Sequence, residues 1–137
     1  MERSQSGYYL IESLVALLIF AGGTLGLVNL YGVLQTRSWD AEFRVLASGY
    51  ANEILSVIIA DNVNSGCYTL PTPGTCSSAV ATTYITGWLA EVNAGLPIPA
   101  GTPPVIAISA TNQITVTINW QRDQDKFVHN YTLIGQY

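Results

Sequence analysis

Glu12 is the residue whose chemistry is hardest to place. It ends the run Gly7-Tyr8-Tyr9-Leu10-Ile11-Glu12, and the next twenty-four positions carry no charge, up to Arg37. A charged side chain at the centre of a membrane span costs about 2.5–3.5 kcal/mol on insertion scales, and such residues are functional by default. Something must offset that cost. The other chemistry-bearing residues are few. Cys67 and Cys76 are the only cysteines, and His129 is the only histidine. Asp123 and Asp125 lie close together, yet a calcium loop needs more ligands and a glycine at set spacing. They read as a solvated hairpin turn. His129 has no nearby nucleophile and no second histidine, so it reads as structural or exposed. Asn130-Tyr131-Thr132 fits a glycosylation sequon by pattern, and in this chain it reads as ordinary strand sequence. No nucleophile elbow, phosphate loop, metal cluster or carboxylate pair is present. The chain is therefore not expected to be an enzyme, and no cofactor or metal is expected.

The elements that must carry these residues follow from the hydropathy pattern. From Ser13 to Leu34 the chain is apolar throughout, apart from isolated small polar residues such as Thr24 and Asn29. At about 1.5 Å per residue a helix of that length spans the ~30 Å hydrocarbon layer. A secretory signal peptide has a shorter apolar region, followed by a cleavage site of small residues. A retained membrane helix is the better reading here. No proline occurs before Pro71, so residues 8 to about 63 read as one long helix. Beyond the span it turns amphipathic: Phe43, Leu46, Ala47, Tyr50, Ile54, Val57 and Ile58 recur at helical spacing. Asn62, Asn64, Ser65 and Gly66 end it.

Residues 64–80 read as a loop. Residues 82–95 place Ile85, Trp88, Leu89 and Val92 at helical spacing, with Gly95 as the C-terminal cap. Four prolines between 97 and 104 impose an extended connector. The last third reads as strands over 105–109, 114–120 and 127–134. In the second, Ile114, Val116, Ile118 and Trp120 alternate with polar residues. The expected fold is α+β: a long N-terminal helix, transmembrane in its first half and amphipathic in its second, packed on a small antiparallel sheet. Trp39, Trp88 and Trp120 read as core or interfacial packing.

Composition narrows the partners. Of 137 residues, 49% are hydrophobic and 10% charged, against about 25% charged in ordinary soluble domains. The net charge is −4 with no basic cluster, which argues against nucleic acid. Lys and Arg are too evenly placed around the span for the positive-inside rule to orient it. The cysteines say more. Two cysteines cannot build a four-ligand zinc site, and His129 is far away in sequence. The pair reads as a disulfide, which puts the body in an oxidising compartment. A core of about a hundred residues is marginal, and such a staple would support it.

The residues from Gly7 to Leu18, with their glycine, aromatic, apolar residue and Glu ahead of an unbroken span, resemble the processing and assembly motif of type IV pilins and type II secretion pseudopilins. The remainder is similar, more loosely, to the minor pilin group called type IV pilus modification protein PilV. The matching features are the cysteine pair, the Trp88-Leu89 helix, the Leu96-Pro97 connector and a strand ending in Trp120.

The resemblance implies a pilin-like fold and a division into a leader at 1–7, a transmembrane assembly helix at 8–36 and a periplasmic body at 37–137. It implies cleavage after Gly7 by a prepilin peptidase and N-methylation of Tyr8. Glu12 would then pair with the Tyr8 amine of a neighbouring subunit or of its own chain. The expected partners are the peptidase, the inner membrane, other minor pilins and the major pilin. The expected role is priming of pilus assembly, with a place at the pilus tip or in the fibre. A minor pseudopilin of type II secretion fits the same motif. An uncleaved single-pass periplasmic protein is the more distant alternative. The chain departs from the family at Ser6, where a basic residue is usual, and in having no proline within the span. Gly22, Gly23, Gly26, Asn29 and Gly32 stand there instead. Gly22 and Gly26 form a Gly-x-x-x-Gly pair, which either brings helices close or is simply tolerated.

Overall fold

The long proline-free stretch folds as one helix. In the computed structural model, which describes residues 6–123 and 125–137, α1 runs over Ser6–Ala60. Met1–Gln5 of the expected leader lie outside the described residues. The chain divides between Asp40 and Ala41 into two units, and each is taken by itself.

In the first unit α1 is apolar and exposed from Gly7 to Leu34. It is long and apolar enough to cross a membrane.

In the second unit α1 buries one face. Ala47, Ala51, Ile54 and Ile58 are each fully buried, at the i, i+4, i+7, i+11 spacing of a single helical stripe. The helix stops at Ala60, a few residues before the expected end. A 3-10 segment follows at Asn62–Tyr68, with a kink at Asn64. The reason is local: the Asp61 carboxylate accepts hydrogen bonds from Asn64 Nδ2 (2.8 Å) and the Tyr68 hydroxyl (2.9 Å), which tightens the chain into a second turn.

The second helix, α2, covers Ala79–Gly95. It begins three residues before the expected start because Ser78 Oγ accepts the Ala81 N–H and caps it. Gly95 is its last helical residue. The cap is Leu96, whose N–H donates to the Val92 carbonyl at 2.9 Å. Ala81, Ile85, Trp88 and Val92 are its buried face.

The sheet contains β1 (Val105–Ile108), β2 (Gln113–Trp120) and β3 (His129–Gln136), antiparallel in the order β1-β2-β3. Asn112, at φ 60°, closes the first hairpin, a conformation that asparagine tolerates. The third strand begins two residues later than its apolar pattern suggests. Phe127 lies outside it and is 78% exposed, because the ladder closes at the Trp120–His129 pair. Ile114, Val116, Ile118 and Trp120 point into the core with Ile106, and the α1 stripe and the α2 face complete the same cluster. Close approach of α1 and β3 accounts for Gly135. A Cβ there would lie 2.6 Å from Leu55 Cδ1.

Ile54→Ala is expected to lower the unfolding free energy by about 2–5 kcal/mol through the cavity it leaves. Gly135→Ala should cost about 1–3 kcal/mol by overpacking. Val63→Ala, at a position 91% exposed, should stay within about 0.5 kcal/mol of wild type. Urea titration of the full chain in detergent reads all three.

Candidate functional site

Gly7, Tyr8 and Glu12 occupy the first turns of α1. A Cβ built on Gly7 would meet nothing within 4 Å, so the backbone there is open to approach. Tyr8, Tyr9 and Glu12 are exposed. The helix around them treats its polar groups in two ways. Hydroxyls bond back to the helix: Ser13 Oγ donates to the Leu10 carbonyl at 2.9 Å, and Thr24 Oγ1 donates to the carbonyl of Ala21 (2.9 Å) or Phe20 (3.0 Å). Such back-bonding lets a hydroxyl sit in apolar surroundings without a solvent partner. A carboxylate has no proton to return to the backbone. No hydrogen bond or ion pair reaches Glu12 from the described residues, although the two turns that follow it from Leu14 onward are apolar.

The second unit holds the cysteines. Cys67 and Cys76 form a disulfide with a Cα–Cα distance of 4.7 Å. Cys67 is buried against the core and Cys76 is exposed. The loop between them is closed by backbone contact as well. Gly74 N–H donates to the Gly66 carbonyl (3.0 Å) and to Thr69 Oγ1 (2.6 Å). Gly66 sits so close to the far side of the loop that a Cβ would lie 2.7 Å from the Thr75 carbonyl oxygen. The sequence gives the cysteine pair away, whereas the glycine contact depends on the folded loop.

Three polar contacts tie α1, or Asp61 just after it, to neighbouring residues, and none was visible as a motif. Trp88 Nε1 donates to the Tyr50 carbonyl at 3.2 Å. The Tyr84 hydroxyl donates to Glu53 at 2.7 Å, and the Tyr68 hydroxyl to Asp61. Burial pushes the Tyr68 phenol from 10.0 up to about 12, helped by the hydrogen bond to Asp61 and its negative charge. The Tyr84 phenol also rises to about 12, first through burial, then through its bond to Glu53 and the charges of Glu53 and Glu91.

The turn after β2 is more ordered than a solvated hairpin. Arg122 meets the Asp125 carboxylate with two guanidinium bonds, at 2.8 and 3.1 Å, and its N–H adds a third at 3.1 Å. These bonds hold the Asp125 carboxyl below the usual carboxylate range. His129 Nε2 lies 3.5 Å from the same carboxylate, and its ring stacks on Trp120. Asp123 is exposed. Trp120 and Trp88 are core residues, and Trp39 is half exposed.

No protein family, curated protein or solved structure matches this chain.

Two outcomes follow for the body. Replacing Cys67 and Cys76 together with alanine should lower stability by about 2–3 kcal/mol, the loop-closure value for a ring of this size, read by urea titration. Alkali should also weaken the fold. The two phenols stay protonated to about 12 in the folded chain but ionise near 10 when it unfolds. Their contribution is therefore complete below pH 10 and lost as pH rises toward 12. Tyr68→Phe should flatten the fall in urea midpoint between pH 10 and pH 12.

Proposed function

We propose that the chain is a minor pilin of a type IV pilus, processed by a prepilin peptidase and active in priming pilus assembly as part of the tip complex. One observation carries this reading. Within the single helix Ser6–Ala60, a lone carboxylate stands in an apolar exposed stretch with no partner from the described chain, while the far half of the helix is the core of a folded body. That division of labour suits a subunit that stores its first half in a bilayer and later packs it among other helices. Glu12 then needs a cation supplied from outside, and a newly exposed amine at Tyr8 of a neighbouring subunit is a fitting one.

Other features agree. A side-chain-free residue at position 7 leaves room for a peptidase at the scissile bond. Tyr8 and Tyr9 are aromatic residues of the kind enriched at the membrane interface. A disulfide-stapled body suits the periplasm. A long helix over a small antiparallel sheet is the layout expected of a pilin. On this reading the precursor sits in the inner membrane with its body in the periplasm. It then joins other minor pilins and the major pilin at the cell surface.

Mass spectrometry of filaments sheared from cells tests the proposal. The body peptide 127–137 and the N-methylated peptide 8–37 are expected together, far below the major pilin in amount. Gly7→Val should leave the leader attached, seen as a heavier membrane form. Glu12→Ala should be processed normally yet missing from filaments. A body peptide confined to membranes would move the assignment to a pseudopilin. A wild-type membrane form that keeps residues 1–7 would overturn the filament role.

A further inference from the structure

The three-stranded sheet has two edges, and the fold treats them differently. The outer edge of β1 is covered at Ile106. Leu70 forms an isolated antiparallel bridge with Ile106. The Leu70 N–H donates to the Ile106 carbonyl and the Ile106 N–H donates back, both at 3.1 Å. Among the described residues no such bridge covers the outer edge of β3 along its eight residues.

The alternation of an antiparallel ladder shows which groups face outward. One step beyond the Gln113–Gln136 pair, Tyr137 donates its N–H to the Asn112 carbonyl. On the opposite side of β2, Ser109 donates to the Gln113 carbonyl. Even-numbered residues of β2 therefore bond to β3, and their partners His129, Tyr131, Leu133 and Gly135 turn inward. Asn130, Thr132, Ile134 and Gln136 turn their N–H and C=O groups outward. No backbone hydrogen bond reaches these four from elsewhere among the described residues, and their side chains are exposed, Ile134 by 59%.

Natural edges are usually blunted by lysine, proline, a bulge or a covering element. Here the register is unbroken over eight pairs, and no charged residue or proline lies between His129 and Gln136. We propose that the open edge of β3 docks an extended, uncharged strand of a different polypeptide, which joins the sheet as a fourth strand. Donors and acceptors that repeat every second residue are matched by another strand backbone. An uncharged partner follows because β3 offers no counter-charge to a charged side chain desolvated beside it.

A second copy of the chain does not suit this edge. Two β3 strands would pair antiparallel about a two-fold axis perpendicular to the sheet. That operation reverses every direction in the sheet plane, including that of the α1 segment lying on the sheet. The Ala41 ends of the two bodies would then point opposite ways, although in each copy that end is joined directly to the apolar stretch that the same bilayer has to take up. This exclusion rests on the membrane reading of α1; the open edge itself does not.

Amide hydrogen exchange at single-residue resolution tests the proposal, on the full chain purified in detergent and on the same chain in complexes gently extracted from cell membranes. In the purified chain Tyr131, Leu133 and Gly135 should be protected, with Asn130, Thr132, Ile134 and Gln136 exchanging freely. In the complexes the second group should slow by at least about tenfold. Thr132→Pro removes an outward donor without touching the β2 ladder, and Ile134→Lys adds a charge at the edge. Each should keep the purified chain folded by circular dichroism and abolish the complex. Unslowed exchange in complexes, a chain that stays monomeric in membranes, retention of both variants in the complex, or cross-links from position 134 only to a second copy would each overturn the proposal. Absence from sheared filaments counts against the pilus reading alone, because the exchange is read in membranes.

Discussion

The burial of the stripe Ala47, Ala51, Ile54 and Ile58 is the interaction on which the body depends. Neither surface it joins is stable alone. A three-stranded sheet with one apolar face needs a cover. A helix with an apolar stripe needs something to bury it against. Each fully buried isoleucine contributes roughly 1.5–3 kcal/mol relative to exposure. The two alanines have a different use. They are small side chains in a cluster where Trp88 bonds to the Tyr50 carbonyl, and Gly135 is where β3 comes close to Leu55 of α1.

That burial also sets the direction in which the remaining polar groups can go. Glu53 and the Tyr50 carbonyl lie on α1 beside the buried stripe, Asp61 follows directly after the helix, and each accepts a bond from an aromatic side chain. Tyr68 is buried in the core and Tyr84 lies at its margin, and burial raises the pKa of both while the carboxylates hold their protons in place. The disulfide loop and the Arg122–Asp125 turn are each closed locally, one by a covalent bond and the other by an ion pair. A small domain with little apolar area relies on such local closures.

The first half of α1 obeys another constraint. The Ser13 and Thr24 hydroxyls are satisfied by their own helix, and the side chains from Gly7 to Leu34 are exposed. Apolar surface on this scale requires a lipid or protein environment. Glu12 is the exception in that surface, and no partner for its charge lies among the described residues. The helix thus joins a segment that gains its stability from its surroundings to one that gains it from the chain itself.

Much of this was legible from residue order. The apolar run without charge or proline, the period of two in β2, the helical spacing of Trp88 and its neighbours and the cysteine pair are all local patterns. Local patterns identify elements because periodicity follows from backbone geometry. Element ends were less legible: Ser78, Asp61 and the Trp120–His129 pair moved three boundaries through contacts with particular partners. The Gly7–Glu12 spacing was likewise visible without coordinates, as was the oddity of a carboxylate ahead of a span. The tertiary structure alone decided which sheet edge is bridged and which is open, how Asp125 is held, and why Gly66 and Gly135 carry no side chain. Those outcomes depend on which residues meet across long stretches of chain, and no periodicity within a single segment encodes that.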